Sequence, residues 1–402
     1  MEVWILIIII ALGIISGIIT GMIPGIHINL IASIILINFT FLLTFFDINS
    51  VIIFIITMGV IHTFIDFIPS ILFGVPSEDT ALSILPGHKL VLDGKAYKAI
   101  FLSSIGSLSG MFFAILFSPL FYYTIEIIYK TSKIFIPYIL ISTTILLIIF
   151  EKNWNLRLWA IIIAFFSSAL GILVLNSTIT NNPLLILFTG LFGISTIFCS
   201  LKDEGKIPKQ NFEIDFKINR NFFKAIFVGG FASSICSISP GLGNAQAGTI
   251  SALFFKKISS EIFIVVLSAI NTINFILSLI TFYLIDRARN GSILVISQIT
   301  ESINFNQLIF FFFIIFIVAI IGYFITLKIG KKLIKIIQTI NMKKTNIIII
   351  ILLFIMIFII TNWIGIIILI CSSALGILCI NLGCRRVHLM NILLIPIVLN
   401  LL

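Results

Sequence analysis

Along this chain the apolar positions neither alternate nor trace a helical stripe; they run on. Stretches of Ile, Leu and Phe, nearly free of charge, recur from one end to the other. A run of about 17–25 apolar residues has the length of a helix that crosses a bilayer. The runs predict crossings at 50–75, 99–118, 134–150, 157–176 and 183–200, and again at 260–285, 306–327, 346–361, 363–381 and 388–402. Two more apolar stretches, 3–46 and 225–255, are broken in the middle by Pro-Gly and predict re-entrant hairpins, each made of two half-helices meeting at a tip. Membrane barrel strands would alternate, so that architecture is excluded.

The pattern repeats. SSALGIL occurs at Ser167–Leu173 and again at Ser372–Leu378, 205 positions later, and Asn176 and Asn381 follow at the same offset. The Pro-Gly pairs, Pro24–Gly25 and Pro240–Gly241, lie 216 apart, and IHTFIDFIPS (61–70) resembles INTINFILS (270–278) with one residue skipped. These matches keep their order and argue for an internal duplication. The expected fold is an all-α polytopic membrane protein of two inverted-topology repeats. Each repeat has one re-entrant hairpin and about five transmembrane helices. The first repeat covers 1–200, a linker loop 201–224 and the second repeat 225–402.

Charge sets the orientation. The linker carries Lys202, Lys206, Lys209, Lys217, Arg220 and Lys224, which places it in the cytoplasm. Counting outward, all but Lys130, Lys133, Arg287 and Arg289 of the 25 Lys and Arg fall inside, and the N-terminus falls outside. One hairpin plus five crossings is odd, so the second repeat enters from the opposite face, as in many secondary transporters. The net charge of +10 is thereby accounted for without nucleic acid. With 60% hydrophobic and 10% charged residues, the chain belongs in the cytoplasmic membrane. Glu2 is the only charge before the first apolar run, which does not fit a cleavable signal peptide. The five cysteines form no CxxC pair and read as small apolar residues in packed helices.

Polar residues inside such runs are the candidates for chemistry. At the first tip, Pro24 and Gly25 break the helix, and His27 and Asn29 follow. A half-helix starting there would aim free N–H groups and its positive dipole end at an anion. The second tip supplies Ser239, Pro240, Gly241, Gly243, Asn244, Gln246 and Thr249. These two sets are the candidate substrate-binding residues. The stretch 74–100 begins GVPSEDT, where Ser77, Glu78, Asp79 and Thr80 read either as a helix start with acids in its first turn or as cation ligands. Asp66 lies four residues after His62 on one helix face, and Asn271 and Asn274 occupy the matching segment of the second repeat. With Ser77–Thr80 they form the candidate coupling-ion set, for Na+ or H+. The basic residues of 328–344, with Ile334, Ile336 and Ile337 between them, predict an amphipathic helix on the membrane surface. No HExxH or other recognisable catalytic motif points to an enzyme, a metal site or an organic cofactor.

The order of a Pro-Gly tip, a GVP loop running into PGHKLVLDGKAYKAI, and a second PGLG tip resembles the TctA family, the large membrane subunits of tripartite tricarboxylate transporters. In that family the first tip resembles LPGLG, and the GVP stretch looks like GIPGTPA followed by DGYPLAKKGEAGRAL. This chain departs from it with Ser77-Glu78-Asp79 and with His27-Ile28-Asn29, and looks like the shorter archaeal branch. The resemblance implies a permease for a small anionic solute such as a carboxylate, working with a small membrane subunit and an extracellular solute-binding protein. An assembly of identical chains is compatible with it. Polyprenyl-phosphate translocases also use duplicated Pro-Gly tips and supply the alternative, a lipid-carrier translocase.

Overall fold

The structure, a computed structural model, describes residues 3–23, 28–75, 79–175, 177, 183–201, 208–238, 243–255, 258–286, 288, 290–339 and 342–402. Among these, every regular element is a helix. The first half holds α1 (Val3–Met22), α2 (Ile28–Ile37), α3 (Ile48–Phe73), α4 (Ile84–Leu92), α5 (Ala96–Leu116), α6 (Ser118–Ile149) and α7 (Trp154–Leu175). It ends in α8, where Pro183–Phe188, a π turn Thr189–Ile194 and Ser195–Ser200 follow one another. The second half holds α9 (Arg220–Ile238), α10 (Asn244–Leu253), α11 (Ser260–Ile285), α12 (Gly291–Ile299), α13 (Phe305–Thr339), α14 (Met342–Asn381) and α15 (Asn391–Leu401). Seven of these helices are long and apolar enough to cross a membrane.

Helix starts are fixed by side chains that fill the open N–H groups of the first turn. Asp47 accepts from the Ser50 amide at 3.1 Å, Ser259 from Ile262 at 3.2 Å, and Asn290 from Ser292 at 3.0 Å. Burial then sorts the helices. The most apolar windows of α3 and α11 are 94% and 89% buried, whereas those of α1 and α14 are only 22% and 17% buried. A helix that is apolar all round and buried is a core helix; one that is apolar and exposed in a chain of this composition faces lipid.

The core is the crossing of α3 and α11, with α1 and α13 packed against α3, and α5 and α9 against α11. Small residues allow the close approach. Gly13, Gly17 and Gly21 of α1 face Thr57, Ile61 and Ile65, where an added Cβ would lie 2.7–2.8 Å from the partner's Cβ. In α9, Gly229 lies against Val266, and the Ser233 hydroxyl donates to the Ile270 carbonyl at 3.3 Å. Thr63 and Thr272, which the sequence match pairs, meet at the crossing with their Oγ1 atoms 3.2 Å apart. The two SSALGIL copies also make matching contacts. A Cβ on Gly171 would lie 2.1 Å from the Ile392 carbonyl oxygen, and one on Gly376 2.4 Å from that of Leu191.

Several elements differ from the runs read in the sequence. Residues 118–149 form one helix, about 48 Å long at 1.5 Å per residue, where a loop followed by a crossing was expected. The interruption at Lys130 and Lys133 is too brief to break helical hydrogen bonding. The basic stretch after 327 simply continues α13 to Thr339. The two crossings expected at 346–361 and 363–381 are the arms of α14, which reverses at Asn362 (φ 62°, ψ −166°). Ile357 lies only 3.4 Å from the place of a Gly365 Cβ, and Leu353, Ile357 and Leu369 share one apolar cluster. Residues 208–219 do not hang free as a loop. The buried Gln210 donates to the Val91 carbonyl (2.9 Å) and accepts the Ala96 amide (2.8 Å), bridging the end of α4 and the start of α5. Phe212 packs on Tyr97, and Phe216 on Phe101.

Candidate functional site

The site follows from two backbone events in α3. Pro69 has no N–H for the Ile65 carbonyl, and the helix loosens into a turn at Asp66. Gly74 then ends the helix in the left-handed region (φ 65°), its N–H bonding back to the Pro69 carbonyl. The chain re-enters the described residues at Asp79 and Thr80 and turns through Ala81–Ser83 into α4. The Ser70 hydroxyl lies within hydrogen-bonding distance of the Asp66 and Val75 carbonyls and of Thr80 Oγ1. The segment carrying Asp79 is thereby tied to the turn carrying Asp66.

From the other half, α10 and α11 bring three amides. Asn271 donates through Nδ2 to Asp66 Oδ2 at 2.9 Å. Asn244, the first residue of α10, donates through Nδ2 to Asn271 Oδ1 at 2.8 Å and to Asp79 Oδ1 at 2.8 Å. The result is one chain of hydrogen bonds, Asp66–Asn271–Asn244–Asp79, running between residues 66–79 and residues 244–271. Asp66, Asn244 and Asn271 are 3–6% exposed. Asp66 Oδ1, Asn244 Oδ1 and Asn274 Oδ1 are buried and accept no hydrogen bond among the described residues. A buried acceptor without a donor calls for water or a cation.

The remaining candidates sort as follows. Pro24, Gly25, His27, Ser77, Glu78, Ser239, Pro240 and Gly241 lie outside the described residues, as does the side chain of Asn29. Thr80 sits beside Asp79 but is engaged with Ser70. Gln246 accepts the Gly243 amide at 2.9 Å and caps the start of α10, and Thr249 donates back to the Ala245 carbonyl at 2.9 Å. Asn274 stands one turn beyond Asn271. His62, paired with Asp66 by its spacing, lies 4.0 Å away (Nε2 to Oδ2), and its Nδ1 is 3.1 Å from Thr20 Oγ1. Thr20 gave no signal in the sequence, because a lone Thr in an Ile-rich helix is ordinary.

A second buried polar cluster was not read from the sequence at all. Between α6 and α7, Glu151 is 3% exposed and accepts from the Arg385 amide at 3.2 Å, with His388 Nε2 at 2.9 Å. Burial pushes its carboxyl up, but the hydrogen bonds from His388 and Arg385 and their charges outweigh burial and hold it below the usual carboxylate range. Next to it, the buried Arg386 reaches the Leu191 and Phe192 carbonyls of the π turn and the Ser195 and Thr196 hydroxyls just after it. A π turn loosens the regular ladder, and the guanidinium fills in at that point. The partners are separated by roughly 190 to 240 residues in sequence, so no local pattern reveals them.

Residues 7–391 match the family described as the tripartite tricarboxylate transporter TctA family. The uncharacterized protein MJ1079 of Methanocaldococcus jannaschii is 33% identical over 398 residues, spanning 96% of this chain and 97% of its own length, in keeping with the archaeal branch. No solved structure is significantly similar. With a family match across nearly its whole length, this chain belongs to the TctA family of tripartite tricarboxylate transporters.

Proposed function

We propose that the chain is a secondary active permease that moves a carboxylate-bearing anion across the cytoplasmic membrane by ion-coupled alternating access. The family is of permease type. The observation that carries the finer reading is the chain Asp66–Asn271–Asn244–Asp79, which joins two carboxylates to the first residue of the helix that leaves the second tip. The open N–H groups at the start of α10, and those at the start of α2, suit the anion. His27, Asn29, Ser239 and the tip glycines complete that set. The carboxylates suit Na+ or H+, with Asn271, Asn274, Ser77, Glu78 and Thr80 around them.

Alternating access rests on the duplication. Its support is the meeting of Thr63 with Thr272 and the matching approach of Gly171 and Gly376 to opposite carbonyls. Both are what an inverted pair of repeats would make. On this reading the N-terminus lies outside and residues 201–224 in the cytoplasm. A small membrane subunit and an extracellular solute-binding protein would work with the chain.

The test is uptake of radiolabelled citrate and succinate into proteoliposomes under imposed Na+ or H+ gradients. Gradient-dependent uptake of either is expected. Uptake of neither, together with binding of a polyprenyl phosphate, would replace this reading with a lipid-carrier translocase.

A further inference from the structure

The carboxamide of Asn244 has two hydrogens and one oxygen. Both hydrogens are committed, one to Asp79 Oδ1 and one to Asn271 Oδ1. Asn271 in turn gives a hydrogen to Asp66 Oδ2. At both ends of the chain an amide nitrogen faces a carboxylate oxygen, Asn244 giving to Asp79 and Asn271 to Asp66. The oxygens left over, Asn244 Oδ1 and Asp66 Oδ1, are buried and without a donor among the described residues. A cation satisfies them and leaves all three hydrogen bonds in place.

Asn244 is also the first residue of α10, directly after Gly243, whose amide is held by Gln246. Its backbone belongs to the helix start that faces the anion, while its side chain belongs to the group that faces the cation. A shift of one moves the other.

Resting on the permease reading above, we infer that Asn244 is a positioning residue through which the two sites sense each other. The carboxamide is held at its hydrogens by Asp79 and Asn271. A cation on Asn244 Oδ1 and Asp66 Oδ1 adds a hold at its oxygen and sets the helix start for the anion. The cation binds first, and by linkage the anion tightens the cation to the same degree.

The experiment measures citrate affinity by calorimetry on the purified full-length chain. Na+ is replaced by choline in one arm, and two pH values are compared in the other. The wild type is expected to bind citrate about 5–150-fold more tightly with its cation, the usual range for coupled sites. In Asn244→Ala citrate still binds, but the ratio of affinities with and without the cation falls to about one, the value when coupling is absent. Gln246→Ala, which loosens the tip without cutting the chain, lowers affinity and keeps the ratio. An anion ligand that did nothing more would lower affinity equally in both arms. Retention of the wild-type ratio in Asn244→Ala therefore overturns the inference and leaves the permease standing, as does citrate binding in the wild type with no cation effect. If Asn244→Ala does not fold, Asn244→Ser and Asn271→Ala, which cut the same chain, must show the same collapse. A wild type that binds neither citrate nor succinate nor inorganic phosphate under any condition overturns the permease reading itself.

Discussion

Glu151→Ala offers a direct measure of what the second cluster contributes. The carboxylate is 3% exposed, with His388 Nε2 at 2.9 Å and the Arg385 amide at 3.2 Å; the Arg385 guanidinium, 3.8 Å away, is 38% exposed. The last contact is near water and is worth about 0–1 kcal/mol. The first two are buried hydrogen bonds, and removing the carboxylate leaves the His388 ring and the Arg385 amide unsatisfied at a cost of about 1–3 kcal/mol each. Glu151→Gln keeps an acceptor and the shape but not the charge, and should cost about 1–2 kcal/mol. Unfolding in mixed micelles titrated with SDS and followed by circular dichroism gives both values. Acid adds an independent check. The Glu151 carboxyl is held below its ordinary range in the fold. Its stabilising effect is therefore full above the unfolded-state value and is lost as pH falls through the lower, folded-state value. Wild-type stability should drop over that acidic window, and Glu151→Gln should lack this part of the drop. A Glu151→Ala protein within about 0.5 kcal/mol of wild type would refute the reasoning, since shifts that small are typical of surface positions.

Other substitutions test other parts. Gly171→Val and Gly376→Val each drive a side chain into a main-chain carbonyl, 2.1 and 2.4 Å from the added Cβ. Each should cost about 3 kcal/mol or more, by the same micellar titration, and similar values are expected if the two sites are equivalent. Gln210→Ala strands the Val91 carbonyl and the Ala96 amide, an effect of about 1–3 kcal/mol. It should appear as faster proteolysis within 208–219. Asp66→Asn keeps the size of the residue and removes its charge. Cation-dependent uptake into proteoliposomes should be lost while the protein still elutes as a folded species on size exclusion.

The sequence carried the helices further than it carried their partners. Apolar runs set the crossings, because in lipid a run of that length has no other way to satisfy its backbone. The reversal at Asn362 was legible for the same reason, since 36 apolar residues exceed one bilayer. The short helices α4 and α12 were not, because nine residues give too little periodicity to separate a helix from a loop. For the site, Asp66, Asp79, Asn244 and Asn271 stood out because polar residues are rare in these spans. That four of them bond in one line was not legible: the links join positions 165, 27 and 205 residues apart. Gln246 was read as a substrate-binding candidate, and the sequence did not reveal that its oxygen holds the Gly243 amide. Side-chain polarity is written in a sequence; the direction in which it points is not.

The division of labour within that line argues for transport over stability. A helix crossing needs small residues, and Thr63, Thr272, Ser107 and Ser268 supply them with every hydroxyl bonded. Nothing about the crossing requires Asp66. Apolar residues of similar volume hold such positions as well as buried charges do, or better. The first half contributes the carboxylates and the second the amides, and the bonds Asn271–Asp66 and Asn244–Asp79 both pass from one half to the other. On the proposed reading, no movement of one half past the other leaves them intact. A cation held by the oxygens left over, Asp66 Oδ1 of the first half and Asn244 Oδ1 of the second, adds a further link between the halves at the moment it binds. The bond chain would therefore act as a catch whose strength depends on the ion, the property that ion-coupled alternating access requires.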